Sequence, residues 1–462
     1  MTSSGSRADS VVMKFGGTSV ADADAMTRVV NIVRAQWESQ PKGSKPPVVV
    51  VSALSKVTDG LIRTAEYARS GDGQKATALV KELLDRHVTI ARTLTTGQRA
   101  EDLVQALNTQ FAELSGRSGA MSVAKKVTPA DHDLIVASGE LASSRIVAAA
   151  FEEQRLPAVW VDARDVLVTD GEHTAAAPDM DATCGKAAEY LAPITARQQI
   201  PVLGGFIAAT VGGVTTTLGR GGSDYSAAIF GACLDVGEIQ IWTDVDGMLT
   251  ADPRVVPSPR VVPQLSFAEA SELAYFGAKV LHPATILPAV TKNIPVRILN
   301  SRQPQNPGTL IAASVERVGH LAALACKRDV TVVDITSTRM FMAHGFLRRL
   351  FEVFERFKTA VDVVTTSEVS VSVTVDNTKH LEDIAGALSE FADVRCEPQM
   401  AIVSIVGETL NEAPGVFVKA IVSLGDIPLR LVSQAASRRN ITFVLPDQDV
   451  ASAMTRLHEA FF

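Results

Sequence analysis

Val11-Val-Met-Lys-Phe-Gly-Gly-Thr-Ser-Val20 passes from an apolar run straight into a Gly-Gly turn, and the segment beyond it carries helical periodicity through Val29, Ile32 and Val33. Strand, paired glycines, helix is the opening of a crossover unit, and the alternation continues to about residue 310. Pro47-Val-Val-Val-Val-Ser52 is a continuous β-branched run, the mark of a strand buried on both faces. Further strands are predicted at Ala158–Val161, Pro201–Leu203, Ile239–Trp242 and Pro295–Ile298, with helices at 139–153, 223–234 and 266–274 between them. Residues 74 to 115 read as helix-rich, with Leu79, Leu83, Leu84 and Val88 at helical spacing. The fold class that follows is α/β, a mostly parallel sheet covered by helices on both sides. Ligands of such sheets sit beyond the carboxyl ends of the strands. Gly16-Gly17, Ser52 and Thr243-Asp244 all fall at those ends.

Arg302-Gln-Pro-Gln-Asn-Pro-Gly308 reads as a Pro-rich hinge, and the character of the chain changes after it. From about 322, strands and helices follow in quick succession with an internal repeat. Gly345-Phe-Leu-Arg-Arg-Leu-Phe is similar to Gly415-Val-Phe-Val-Lys-Ala-Ile, and Val371, Val373 and Val375 answer Ile441, Phe443 and Leu445 at the same 70-residue offset. Two copies of a small βαββαβ-like unit fit this better than a solenoid, which needs at least three repeats. The expected division is 1–310, 311–396 and 397–462, the last unit either following the second or interleaved with it.

At 462 residues and 46% hydrophobic, the chain can bury a large core in two or three domains. A formal charge of −7 argues against general nucleic-acid affinity, which rests on neutralising phosphates. Aromatics at 5% supply few stacking platforms for single strands. The four cysteines, Cys184, Cys233, Cys326 and Cys396, lie far apart without a Cys-x-x-Cys pair. That pattern supports neither a zinc site nor a disulfide framework and fits a reducing compartment. The polar N-terminus has no apolar core of a secretory signal. Ile200–Leu218, the longest uncharged stretch, is interrupted by glycines and threonines and falls below the ~20 predominantly apolar residues of a membrane span. A soluble, cytoplasmic chain is expected.

Glycines after a strand let backbone N–H groups approach a phosphate, and Lys14 adds a point charge. A Gly-Gly turn alone is as compatible with plain structure, and the spacing is not that of a Walker A loop. In Thr215-Thr-Thr-Leu-Gly-Arg-Gly-Gly-Ser-Asp-Tyr225, Ser223 and Asp224 are also N-cap candidates, whereas Arg220 between glycines suits a guanidinium forked toward a carboxylate. Ser138-Gly-Glu140 reads as a helix start, so Glu140 is either a capping-box residue or a ligand contact.

In order along the chain, Lys14-Phe-Gly-Gly-Thr-Ser-Val20, Ser138-Gly-Glu140, Thr217-Leu-Gly-Arg-Gly-Gly-Ser-Asp-Tyr225, Trp242-Thr-Asp-Val-Asp-Gly247, Asp252-Pro-Arg254 and Phe276-Gly-Ala-Lys-Val-Leu-His-Pro283 resemble the aspartate kinase family. The resemblance runs from about residue 11 to the C-terminus. It implies an amino-acid kinase fold followed by two α+β ferredoxin-like ACT domains. It also implies roles: Lys14, Gly16 and Gly17 on the transferring phosphoryl group, with Asp224 organising that site. Thr58, Glu140, Arg220 and Ser223 would grip aspartate, Glu140 on its amino group and Arg220 on its α-carboxylate. Thr243, Asp244, Arg254 and Lys279, with Lys14, would line the ATP site. Mg2+ would be held by phosphates and water rather than by a protein metal site. Leu249 departs from relatives with a tyrosine near the nucleotide. The C-terminal repeats resemble lysine-sensitive ACT modules, and by that likeness Met340, Phe346, Leu347, Val361, Asp362, Ser367 and Glu368 would enclose lysine. Ala343 stands where some relatives have a polar residue, which keeps threonine as the rival effector. The second repeat offers Arg430 and Ala436 instead of an acidic pair. A homodimer or dimer of dimers through these units is implied, and the end of the sequence after the second repeat argues against a fused homoserine dehydrogenase.

The chemistry agrees with the resemblance. Aspartate's β-carboxylate, with an unperturbed pKa of about 3.9, is already an anionic nucleophile and needs no general base. Bringing two anions together calls for cations and backbone donors aimed at the phosphates. A kinase of this fold acting on glutamate or acetylglutamate would be expected to lack the helical insertion and tandem sensors. A catalytically dead sensor would not be expected to keep Lys14, Arg220, Asp224 and Lys279.

Overall fold

The structure, a computed structural model, describes residues 10–277, 282–316, 319–337, 344–434 and 437–462. In chain order the elements of the first half are β1 (Val11–Phe15), α1 (Ala23–Ser39), β2 (Val48–Val51), α2 (Val57–Ser70), α3 (Gly73–Leu94), α4 (Gly97–Ala124), α5 (Pro129–Glu153), β3 (Ala158–Val161), β4 (Val168–Thr169), α6 (Met180–Tyr190), α7 (Ala192–Ala196), β5 (Ile200–Gly204), β6 (Ile207–Thr210), β7 (Thr215–Thr217), α8 (Gly222–Leu234) and β8 (Glu238–Thr243). There follow β9 (Gln264–Ser266), α9 (Phe267–Tyr275), α10 (Leu287–Lys292), β10 (Val296–Asn300), β11 (Thr309–Ala312), β12 (Leu321–Thr336), α11 (Phe346–Arg356), β13 (Val364–Thr366), β14 (Ser370–Val375), α12 (Leu381–Ser389), β15 (Asp393–Gly407), α13 (Pro414–Leu424), β16 (Leu431–Gln434), β17 (Asn440–Pro446) and α14 (Val450–Phe461). The chain divides into two compact units: residues 1–248 with 281–315, and residues 249–280 with 316–462.

In the first unit the strands run in the order β3-β5-β2-β1-β8-β10-β11. All neighbours are parallel except β10 and β11. β1 sends its crossover to β2 on one side and has β8 on the other, so strand order reverses at β1 and a crevice opens beyond its carboxyl end. Every residue of β1 and β2 is buried, which is why their sequences are apolar without alternation. The core around them joins Met13, Phe15, Val49 and Val51 to Leu61, Leu107, Phe111 and Phe151 of the helices.

Three sequence readings change here. Helix α5 begins at Pro129, not at Ser138: Thr128 caps it through a reciprocal capping box with Asp131, and Glu140 lies mid-helix. The Pro-rich segment 302–308 is no hinge but closes the antiparallel β10–β11 hairpin. Cys184 on α6 and Cys233 on α8 form a disulfide across 49 residues of sequence, against the expectation of free thiols. A pairing between two packed helices leaves no short spacing for the sequence to display. Cys326 and Cys396 are free. The only described helix long and apolar enough to cross a membrane is α5, and 83% of its apolar window is buried among the other elements.

In the second unit one six-stranded sheet runs β13-β14-β12-β15-β17-β16, with every pairing antiparallel. The long β12 and β15 are shared by its two halves. Residues 331–336 of β12 pair with β14, whereas residues 400–406 of β15 pair with β17. Two separate cores result, one around Phe346, Leu350, Val371 and Val373, the other around Leu424, Phe443, Met454 and Leu457.

Candidate active site

The carboxyl ends of β1, β2, β5 and β8 converge on one place in the first unit. Gly16 donates its N–H to the Trp242 carbonyl at 3.0 Å, and Ser55 donates to the Gly17 carbonyl at 3.1 Å, so the Gly-Gly turn is tied to β8 on one side and to the start of α2 on the other. Arg86 clamps the same loops, donating to the carbonyls of Ser55 at 2.7 Å and Ala21 at 2.9 Å. A Cβ at Gly16 would stand 3.6 Å from the Lys14 ammonium, and one at Gly17 would stand 3.0 Å from the Ala53 carbonyl. Gly17 therefore has little room for a side chain, and the paired glycines form a cradle beside a lysine.

Lys14 points from β1 to Asp224 in the first turn of α8, with Nζ 2.6 Å from Oδ1 and both side chains largely buried. Neither Asp224 nor Ser223 caps α8; that position belongs to Gly221, at φ +72°, and a Cβ there would also strike Thr285. Neither polar side chain is therefore spent on the helix end, and Asp224 is free to pair with Lys14. Arg220, immediately before, is exposed and has no partner among the described residues.

Glu140 reaches this site from the middle of α5. Its side chain is buried; Ala53 donates its backbone N–H to Oε1 at 3.2 Å, and Oε2 has no partner. Burial pushes its pKa up to about 8 against the opposing hydrogen bond from Ala53. A buried carboxylate oxygen without a donor is costly, and a ligand ammonium is what would relieve it. Gly204 and Gly205 bring the parts together. A Cβ on Gly204 would be 3.0 Å from Glu140, and one on Gly205 would be 2.8 Å from Ser223. Sequence reasoning passed over this second Gly-Gly turn after a strand, although it repeats the signal of Gly16-Gly17.

Asp133 was also missed. Fully buried on α5, it accepts from the Thr217 hydroxyl at 2.7 Å, the Thr174 N–H at 3.0 Å and His173 Nδ1 at 2.8 Å. Burial alone would raise its pKa; the surrounding hydrogen bonds outweigh that and hold it below the usual carboxylate range. It anchors the end of β7 just before Gly219-Arg220. An aspartate within the polar stretch Pro129-Ala-Asp-His-Asp133 gives no sequence signal for this.

Thr58 lies half-buried in the first turn of α2. Thr243 ends β8, its carbonyl accepting from Ser301, and Asp244 is exposed beside it. Arg254 belongs to the second unit, where it is exposed and forked onto Asp252 at 2.5 Å. Lys279 and Met340 lie outside the described residues, as do Ala343 and Ala436. Of the expected effector residues, Phe346 is committed to the core, edge-on to Phe391, while Leu347 is exposed. Val361 is half-buried, and Ser367 and Glu368 are exposed in the turn between β13 and β14. The side chain of Asp362 is 3% exposed.

Comparison with known proteins fits this geometry. The amino acid kinase family matches residues 9–300, and an ACT domain matches residues 403–461. Lysine-sensitive aspartokinase 3 of Escherichia coli is 35% identical over 98% of this chain and 99% of its own length. The aspartokinase of Schizosaccharomyces pombe is 30% identical over 97% and 92%. Among solved structures, E. coli aspartokinase III in complex with aspartate and ADP (R-state) superposes with a TM-score of 0.81 at 34% identity, covering 98% of this chain and 99% of that one. The same enzyme in complex with lysine and aspartate (T-state) gives 0.80 at 34% identity, covering 98% and 100%. With the amino acid kinase fold, the ACT domain and full-length likeness in agreement, the chain belongs to the aspartokinase family.

Proposed function

We propose that this kinase transfers the γ-phosphoryl group of ATP to the β-carboxylate of L-aspartate, giving 4-phospho-L-aspartate and ADP, and that lysine restrains it. The carrying observation is the Lys14–Asp224 ion pair beside the Gly16-Gly17 cradle, within one cluster that also holds the buried Glu140. A carboxylate oxygen attacks phosphorus while the bond to the ADP oxygen breaks; no proton has to move. Lys14 and the Gly17 N–H meet the phosphoryl oxygens, Glu140 takes the substrate ammonium on its open oxygen, and Arg220 forks onto the α-carboxylate. Ser223 and Thr58 complete the aspartate contacts, and Thr243 and Asp244 border the nucleotide.

Mg2+ carried on the nucleotide phosphates would neutralise charge during transfer, and Asp224 is the carboxylate of this cluster that fits it. In the second unit Leu347, Val361, Asp362, Ser367 and Glu368 form the effector reading, with lysine favouring a state that holds nucleotide less well. Phe417, Val418 and Val422 stay exposed along α13, which supports a homodimer through this unit. A cytoplasmic location fits a kinase of free metabolites.

Hydroxylamine trapping tests the reaction directly. Aspartyl hydroxamate should form with MgATP and aspartate, should not form with glutamate, and should fall with millimolar lysine. Lys14→Met should lower kcat by about a hundredfold or more. Absence of aspartyl hydroxamate from the folded wild-type protein would sink the catalytic reading.

A further inference from the structure

Asp362 uses one carboxylate oxygen twice and leaves the other open. Its Oδ1 accepts from the Lys327 ammonium at 2.8 Å and from the Tyr275 hydroxyl at 2.9 Å; its Oδ2 is buried with no partner. Lys327 is bridged in turn to Asp376 Oδ2 at 2.8 Å, and its ammonium lies 5.2 Å from the Tyr275 ring centroid. All four residues belong to the second unit: Tyr275 ends α9, Lys327 lies in β12, Asp362 precedes β13 and Asp376 follows β14. Burial disfavours the lysine's charge, yet the bonds and charges of the two aspartates outweigh it and raise its pKa above the ordinary value. Two carboxylates and one ammonium leave the cluster with a net negative charge and an unfilled acceptor. An ammonium arriving at Oδ2 gains that acceptor, but it shares Asp362 with a cation already in place, and like charges at this range repel.

We infer that Lys327 is an internal counter-ion that sets the affinity and selectivity of the effector site: a ligand bearing a side-chain ammonium binds at Asp362 in competition with it. This rests on the reading that Asp362 belongs to the effector site. Asp376 draws Lys327 away from Asp362 and so works for the ligand. Threonine, whose side chain is neutral, has no side-chain ammonium to set against Lys327 and should be insensitive to it.

Calorimetric titration of lysine and of threonine into the full chain tests this, because Lys327 and Asp376 should act in opposite directions. Lys327→Met should tighten lysine binding about tenfold or more; Asp376→Asn, which leaves Lys327 wholly to Asp362, should weaken it several-fold; threonine titrations should not change. Lysine heats that appear only in Lys327→Met also support the inference. Unchanged or weaker lysine binding in folded Lys327→Met overturns it. Should that variant fail to fold, unchanged or tighter binding in Asp376→Asn overturns it instead. Lysine binding that survives Asp362→Asn refutes the effector reading itself, whereas binding lost in Asp362→Asn but indifferent to Lys327→Met refutes only the role of Lys327. No lysine binding by either the wild type or Lys327→Met refutes both.

Discussion

A carboxyl that has lost its water holds its proton, and Glu140, with its pKa pushed up to about 8, is mostly protonated at neutral pH. The sign of the linkage is fixed. A raised folded-state pKa gives stability that is fully present below the ordinary carboxylate range and is lost as pH rises through about 8. In the proposed role a substrate ammonium at Oε2 favours the charged form, so aspartate binding would expel the proton. At pH 7 the protons released per aspartate bound should approach one and should vanish well above pH 8, as read from titrations in buffers of different ionisation enthalpy. Aspartate affinity should improve with pH up to about 8. Glu140→Gln should abolish the release and raise the KM for aspartate about tenfold or more. A pH-independent affinity would rule Glu140 out as the ammonium contact. The setting of Glu140 was only half legible in the sequence. The motif marked Glu140, but its placement at a helix start supplied the wrong electrostatics, a dipole instead of dehydration. Asp133 gave no signal at all, because its partners, His173-Thr174 and Thr217, come from two segments far along the chain.

Secondary elements were readable where burial is complete and misread where polar residues enter the core. The β-branched run of β2 and the apolar β1 announce themselves since both faces are covered. The first turns of α5 read Pro-Ala-Asp-His-Asp, and the buried Asp133 occupies a core-facing position that an apolar residue would ordinarily mark, so periodicity emerged only later. The Thr128–Asp131 capping box was the available signal. The α6–α8 disulfide is the larger omission, and it makes a measurable statement. Closing a loop of 49 residues restricts the unfolded chain by about 4 kcal/mol in the chain-entropy picture. Thiol reduction, or Cys184→Ser with Cys233→Ser, should lower the melting temperature of the first unit by on the order of 10 °C. A melting curve unmoved by reductant would mean that the two cysteines stand as thiols in solution.

Across the whole molecule, repeats were easier to read than boundaries. Val371, Val373 and Val375 and their counterparts Ile441, Phe443 and Leu445 are fully buried, each set on a strand flanking one of the shared strands, so the 70-residue offset had a physical basis. What no local pattern displays is that β12 and β15 run 16 and 15 residues and serve both halves of one sheet. A sheet shared in this way gives the effector half few independent movements, since shifting one half strains hydrogen bonds of the other. If lysine acts by favouring a state with weaker hold on nucleotide, coupling must be reciprocal: the factor by which saturating lysine weakens ADP binding equals the factor by which saturating ADP weakens lysine binding. A factor between roughly 5 and 150 is the range such couplings span. Both are measured by titrating each ligand with and without the other, using equilibrium affinities rather than KM. Independent binding of the two, with activity still suppressed by lysine, would move the inhibition from nucleotide affinity to the transfer step.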